Sequence, residues 1–280
     1  MPATGDTDPK LAALPFVSII LPTFNEVENI VVLIEWIERE LPDIAHEIIV
    51  VDDNSPDGTS PVVAAALPRF PNLRLVTRTA DRGLVNSIRE GIAQAKGGVC
   101  VWMDADLSMP ATTIRKLLGE IQAGADVAVG SRYVPGGAIK GSHGHEKTTL
   151  RRVWHNLSDT EDSFLAVVIS SVGNYVVRNL LDNRYNDYTS GFYAVRKHVF
   201  DKVILEGHYL DYSIAFLYRA ILRGFRISEI PVVIVPRKYG RSKTSDSLLR
   251  LLEIIFDCFK MISRLLIESR EHRRNARKAL

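Results

Sequence analysis

Apolar residues follow two alternating rhythms along the first half of the chain. Val17-Ser-Ile-Ile-Leu21 is a short apolar run before a polar turn and predicts a buried strand. Beyond that turn Ile30, Leu33, Ile34, Ile37 and Leu41 recur at helical spacing. The alternation continues with a strand over 48–52, a short helix after Thr59, a strand over Leu73–Thr77, a helix over 84–95 and a strand over 99–103. Pro110 opens a further helix with Ile114, Leu117, Leu118 and Ile121 on one face, and Asp126–Gly130 reads as a fifth strand. Strands alternating with helices predict an α/β fold with a mostly parallel sheet covered on both faces. Regularity breaks after Gly130. Residues 131–160, rich in Gly, His, Ser and charge, read as a long surface loop that can serve as a lid. Helical patterns return over 163–181 and 209–223, a strand over Ile230–Val235 follows, and a long amphipathic helix runs from about 245 to 270.

At 280 residues and 46% apolar content the chain has ample material for a core. The organisation expected is a flexible N-terminus over 1–14, a catalytic domain over 15–245, and an amphipathic helix with a basic tail over 246–280. A formal charge of +2 is too close to neutral for wholesale nucleic-acid binding. The charge is unevenly placed, since residues 268–280 alone carry +3. Cys100 and Cys258 lie far apart in apolar runs, with neither a disulfide framework nor metal-ligand spacing, which fits a reducing compartment. The N-terminal residues lack the order of a signal peptide, and no run reaches the ~18 apolar residues of a membrane span. The expectation is a cytoplasmic protein without a transmembrane span.

The chemistry concentrates at strand ends. The run Val99-Cys-Val-Trp-Met103 stops at Asp104-Ala105-Asp106, and Ile48-Ile-Val-Val51 stops at Asp52-Asp53-Asn-Ser. Two carboxylates spaced i, i+2 at a strand end converge on one small volume. Such hard oxygen donors suit a divalent cation that keeps several waters and is completed by a substrate's phosphates. Two neighbouring strands ending in acid pairs therefore read as a metal–nucleotide site at the carboxyl edge of a parallel sheet.

Six segments occur in order: Pro22-Thr-Phe-Asn-Glu26, Val51-Asp-Asp-Asn-Ser-Pro-Asp-Gly-Thr59, Asp104-Ala-Asp-Leu-Ser108, Gly130-Ser-Arg-Tyr133, Thr189-Ser-Gly-Phe192 and Arg237-Lys-Tyr-Gly-Arg-Ser-Lys243. Over roughly 15–245 the chain resembles the dolichol-phosphate mannose synthase branch of the family 2 glycosyltransferases. The resemblance implies a GT-A fold and an inverting transfer of a hexose from a nucleotide sugar, GDP-mannose or UDP-glucose, to a polyprenyl phosphate. It implies that Pro22, Phe24, Glu26 and Asp53 hold base and ribose, and that Asp104 and Asp106, with Ala105 between them, bind Mg²⁺ or Mn²⁺ with the donor diphosphate. An aromatic face and carboxylates suit stacking and acceptance of N–H and hydroxyl donors. Arg132 and Arg237 match diphosphate-binding arginines, a task to which a planar guanidinium is fitted. Lys243 shares a Gly- and Ser-bearing loop with Arg237 that reads as mobile and closing over phosphates.

The chain departs from the family pattern at three places. Leu84-Val85 replaces a Leu-Gly pair after Arg82-Gly83. The Ser of the acceptor-phosphate helix matches Ser170, but the position four residues earlier is Ala166 where the family carries Arg, so Arg132, with Arg151 or Arg152 folded in from the loop, must supply the acceptor's cations. Asp211 and Ser213 stand where the family shows Gln and Glu. Asp211 is the candidate general base should the acceptor be a hydroxyl on a lipid or glycan; helix capping is its structural alternative. A sugar-phosphate nucleotidyltransferase is disfavoured, since its Gly-rich, Lys/Arg-bearing loop is missing after the first strand. The amphipathic helix predicts a membrane surface or a small membrane partner, on the cytoplasmic face.

Overall fold

The computed structural model describes residues 14–138, 164–235 and 248–278, within which side chains 164–170, 248–252 and 276–278 are left aside. Seven strands and seven α-helices stand among the described residues: β1 (Val17–Thr23), α1 (Ile30–Glu40), β2 (His46–Asp52), α2 (Thr59–Ala66), β3 (Leu73–Thr77), α3 (Leu84–Gln94), β4 (Val99–Trp102), α4 (Thr112–Gln122), β5 (Val127–Ser131), α5 (Phe164–Leu180), β6 (Tyr193–Arg196), α6 (Leu210–Leu222), β7 (Ile227–Pro231) and α7 (Leu248–Lys278). One sheet joins the strands in the order β3-β2-β1-β4-β6-β5-β7. All pairings are parallel except those of β6, which runs antiparallel between β4 and β5.

The five expected strands of the first half form, and their uninterrupted apolar runs follow from burial on both faces. Val17, Ile19, Leu21, Ile48, Val50, Val99 and Val101 face one layer, which α1, α2 and α4 cover. Ile20, Ile49, Val51, Cys100, Trp102, Val127 and Val129 face the other, beneath α3, α6 and α7. In that second layer the Trp102 ring stacks on Tyr193 at 4.9 Å and meets Phe216 edge-on at 5.6 Å. Burial pushes the Cys100 thiol up to about 12, so it is a packing residue rather than a nucleophile.

Three expectations need correction. The acid-tipped strands β2 and β4 are not neighbours: β1 lies between them and pairs with both. The strand β6 was not foreseen, because Tyr193-Ala-Val-Arg196 is too short to show a period of its own. The strand expected over Ile230–Val235 lies at Ile227–Pro231, where pairing with β5 rather than apolar content sets its limits. The long helix α7 runs on to Lys278, through the basic tail.

At the amino edge, the Glu47 carboxylate accepts hydrogen bonds from Ser18 Oγ (2.7 Å), Arg74 Nη1 (2.8 Å) and the Lys96 N–H (2.7 Å), tying β1, β2, β3 and the turn before β4 together. Burial raises its pKa, but those three donors together hold it below the ordinary 4.5. A depressed carboxylate pKa contributes stability that is present above about 4.5 and is lost as pH falls through the folded value. Glu47→Gln should therefore cost roughly 1–3 kcal/mol at pH 7. It should also make stability less steep in pH below 4.5. Urea titrations of both proteins between pH 3 and 7 check this; parallel curves would refute it.

Candidate active site

The carboxyl ends of β1, β2 and β4 open on one cleft of about 350 Å³. It is lined by Pro22, Phe24 and Glu26 after β1, by Asp53 after β2, and by Asp104, Ala105 and Asp106 after β4. The residues expected at base, ribose and metal, Pro22, Phe24, Glu26, Asp53, Asp104, Ala105 and Asp106, thus share one cavity. A second groove of about 560 Å³ on the outer side of α3 contains none of them.

Local chemistry explains how each end is shaped. Asp52, fully buried, accepts from Thr23 Oγ1 (3.1 Å), the Ser55 N–H (3.0 Å) and Ser60 Oγ (2.7 Å), so it braces the turn and leaves the cleft to Asp53. Asp53 Oδ1 accepts from Arg78 Nη1 (2.7 Å) and Ser87 Oγ (2.8 Å), and Oδ2 from the Gly83 N–H (2.6 Å). Glu26 is anchored through its backbone N–H on Thr59 Oγ1 (3.0 Å), and its Oε2 accepts from Asn29 Nδ2 (2.9 Å). Asp106 Oδ1 accepts the Ser108 N–H (2.9 Å), and the intervening Leu107 sits at φ +62°, a sparsely populated conformation for a side chain of its size. Residues held in such sparsely populated conformations cluster at ligand sites.

Seven further lining residues were not among the expected site residues: Thr23, Arg82, Gly83, Leu84, Ser87, His208 and Tyr209. Arg82-Gly83 marked only a helix entrance, and nothing in spacing announced that the turn before α6 folds over the cleft. Asp211, 4% exposed, forms that turn: its Oδ1 accepts the N–H groups of His208 (2.9 Å) and Tyr209 (2.8 Å). Gly207 sits at φ +128°, and a Cβ there would stand 2.7 Å from Asp211 Oδ2. Asp211 itself does not line the cleft, so the geometry favours capping over proton abstraction. Ser213, the other departure, is buried and donates to the Ser190 carbonyl (2.7 Å).

Arg132 leaves β5 at the same edge of the sheet but outside the cleft lining. Its Nε and Nη2 donate to the two oxygens of Asp187 (2.9 and 2.8 Å), and Nη2 also to Thr189 Oγ1 (2.6 Å). Burial lowers its pKa, but the adjacent Asp187 carboxylate more than offsets this and raises it above the ordinary value. Ser170 falls on α5 with its side chain outside the described ones, while Arg151, Arg152, Arg237 and Lys243 lie outside the described residues altogether.

The match to the glycosyl transferase family 2 model spans residues 18–204. The chain belongs to glycosyl transferase family 2. Among similar proteins, the dolichol-phosphate mannosyltransferase of Pyrococcus furiosus is 31% identical over 252 residues, 89% of this glycosyltransferase and 63% of that protein's length. The polyprenol monophosphomannose synthase of Mycolicibacterium smegmatis is 33% identical over 239 residues, covering 83% and 82% of the two chains. A crystal structure of glucosyl-3-phosphoglycerate synthase from Mycobacterium tuberculosis with Mn²⁺, UDP-glucose and phosphoglyceric acid aligns at a TM-score of 0.64 and 16% identity, over 91% of this chain and 81% of that one. At that identity the likeness concerns the fold, and it bears out the GT-A expectation.

The donor set fits a divalent cation that the protein holds only in part. Among the described residues no group of three or more His, Cys, Asp and Glu side chains is placed to cage a metal. Asp104 and Asp106 supply hard oxygens from one side, as Mg²⁺ or Mn²⁺ bound with waters and phosphates requires.

Asp211→Asn keeps an oxygen for the two backbone donors and should retain turnover within severalfold, whereas Asp211→Ala should release the 207–209 turn and lower it at least tenfold. Steady-state kinetics of both variants decide the role. Loss of several orders of magnitude in Asp211→Asn with donor binding intact would make Asp211 a base.

Proposed function

We propose that this glycosyltransferase moves mannose from GDP-mannose to a polyprenyl phosphate with inversion at the anomeric carbon. The reading is carried by one observation: the cleft gathers Phe24, Glu26, Asp53 and the Asp104/Asp106 pair, while Asp211 lies outside its lining and accepts from the His208 and Tyr209 amides. The names of the Pyrococcus and Mycolicibacterium relatives support the sugar and the lipid phosphate. UDP-glucose is the competing donor.

In this reaction the acceptor's phosphate oxygen forms the new bond to the anomeric carbon as the bond from that carbon to the nucleoside diphosphate breaks. A phosphate monoester has a second pKa of about 6, so it is already anionic near neutrality and no proton must be removed. Asp104 and Asp106 would hold Mg²⁺ or Mn²⁺, which supplies charge neutralisation for the departing diphosphate. Phe24 and Pro22 form the apolar wall for the base, and Asp53 and Glu26 accept from base and ribose. Arg82 lines the cleft as a cation for the diphosphate. We assign Arg132 to the acceptor phosphate, with Ser170 and Arg152, and Arg237 and Lys243 to the closing loop.

The substrate also implies a place at a membrane surface, on the cytoplasmic face. Among the described residues no helix is long and apolar enough to cross a membrane. Instead α7 buries Met261, Ile262 and Leu265 against the core, while Phe256 and Phe259 stand 69% and 56% exposed on the opposite side. Apolar residues outward, followed by a basic tail, suit an interfacial helix, and each Lys or Arg adds roughly 1 kcal/mol at an anionic bilayer.

Two measurements test the proposal. With Mg²⁺ or Mn²⁺, GDP-mannose and a short polyprenyl phosphate should give the mannosyl phospholipid, and excess chelator should abolish it. UDP-glucose should be a poor donor; transfer to free polyprenol but not to its phosphate would overturn the assignment. In vesicle flotation with anionic lipid, Phe256→Ser/Phe259→Ser should lose most binding without a change in Tm, and undiminished flotation would refute the interfacial role.

A further inference from the structure

Asp187 is fully buried and collects more donors than a simple ion pair needs. Besides the Nε and Nη2 bonds from Arg132, it accepts the Arg132 N–H (3.0 Å), the Thr189 N–H (3.1 Å) and Thr189 Oγ1 (3.3 Å). Its own N–H donates to Glu229 Oε1 on β7 (2.9 Å), and that carboxylate also receives the Asn186 N–H and side-chain amide. Asn174 on α5 clamps the same segment from the other side, donating to the Asn186 carbonyl (2.6 Å) and accepting the Tyr188 N–H (2.9 Å).

We propose that Asp187 is a positioning residue for the acceptor phosphate: it grips one edge of the Arg132 guanidinium and so presents the other edge, at Nη1, to the phosphate. The proposal rests on the reading of Arg132 as an acceptor-phosphate ligand. A guanidinium carries five N–H donors in a rigid plane. Asp187 and Thr189 use the Nε and both Nη2 hydrogens; among the described residues the Nη1 pair has no protein acceptor. Stability alone does not account for the arrangement, because a buried ion pair is often no better than an apolar pair of similar volume. Its distinctive product is direction.

The same segment reaches the metal carboxylates. Ser190 Oγ donates to the Gly130 carbonyl (2.7 Å), which fixes Gly191 beside β4. A Cβ on Gly191 would stand 3.6 Å from both oxygens of Asp104. Residues 186–191 thus hold the Arg132 guanidinium at one end and pass beside Asp104 at the other, where a Cβ would come into contact, and so link the acceptor's cation to the donor's metal pair. Such a device acts on the alignment of two reactants, which governs turnover more than the affinity for either alone.

A double-mutant cycle tests this, with transfer from GDP-mannose to a short polyprenyl phosphate and calorimetric donor binding in Mg²⁺ as readouts. Asp187→Asn should lower kcat for transfer about 100-fold, with donor Kd within threefold of the parent. Arg132→Met should lower transfer as much, and adding Asp187→Asn to it should cost nothing further, since Asp187 acts only through Arg132. Should either single variant not fold, Arg132→Lys keeps a cation beside Asp187 but has no second edge to present. Transfer should then still fall roughly tenfold or more with donor Kd unchanged, and wild-type transfer would overturn the proposal. A further loss in the double variant, or wild-type transfer in Asp187→Asn, would overturn the proposal while leaving the Arg132 reading intact. Wild-type transfer in Arg132→Met would overturn both.

Discussion

Taking a carboxylate out of water costs several kcal/mol unless donors replace its hydration. The carboxyl edge of this sheet buries Asp52, Asp53, Asp106, Asp187 and Asp211, and its local architecture is largely the set of donors that meets this demand. Hydroxyls of Thr23 and Ser60 serve Asp52, while Arg78, Ser87 and the Gly83 N–H serve Asp53. The turn before α6 folds its amides onto Asp211, and Arg132 covers Asp187. The donors come from several segments, so satisfying the acids also locks the loops that form the cleft.

The same constraint shapes the chemistry. A diphosphate entering a cleft lined by Glu26, Asp53, Asp104 and Asp106 meets like charge, and Arg78 is committed to Asp53. Arg82 alone among the described lining residues carries a fixed positive charge. On the proposed reading Asp104 and Asp106 would hold a divalent ion, whose charge would offset that of the donor's phosphates.

The outer layers divide the labour differently. The side of the sheet beneath α1, α2 and α4 is a closed apolar core. The side beneath α6 and α7 ends in a helix that is apolar inward and again outward, at Phe256, Phe259 and Ile267. A helix with two apolar faces is costly to leave in water and stable where the second face meets another apolar phase. On the proposed reading, the flank carrying Phe256 and Phe259 would meet lipid while the cleft stays in water.

The alternation of buried runs and amphipathic helices, and the acids at strand ends, were legible in the residue order alone, because burial on two faces and helical period leave local patterns. Motifs sufficed to name the family and to place Pro22, Phe24, Glu26, Asp53, Asp104 and Asp106 at one edge. Strand order was not legible: β1 intrudes between the acid-tipped strands, and β6 enters antiparallel, since pairing is a long-range choice that a four-residue strand cannot announce. The partner of Arg132 was equally hidden. Asp187 lies 55 residues away in sequence, and only the packing of β5 against β6 brings the two charges together. Nor did Asp211 reveal whether it faced substrate or its own backbone. That depended on the path of the turn at Gly207, set by a left-handed φ and by two amides that the tertiary fold aims at one carboxylate oxygen.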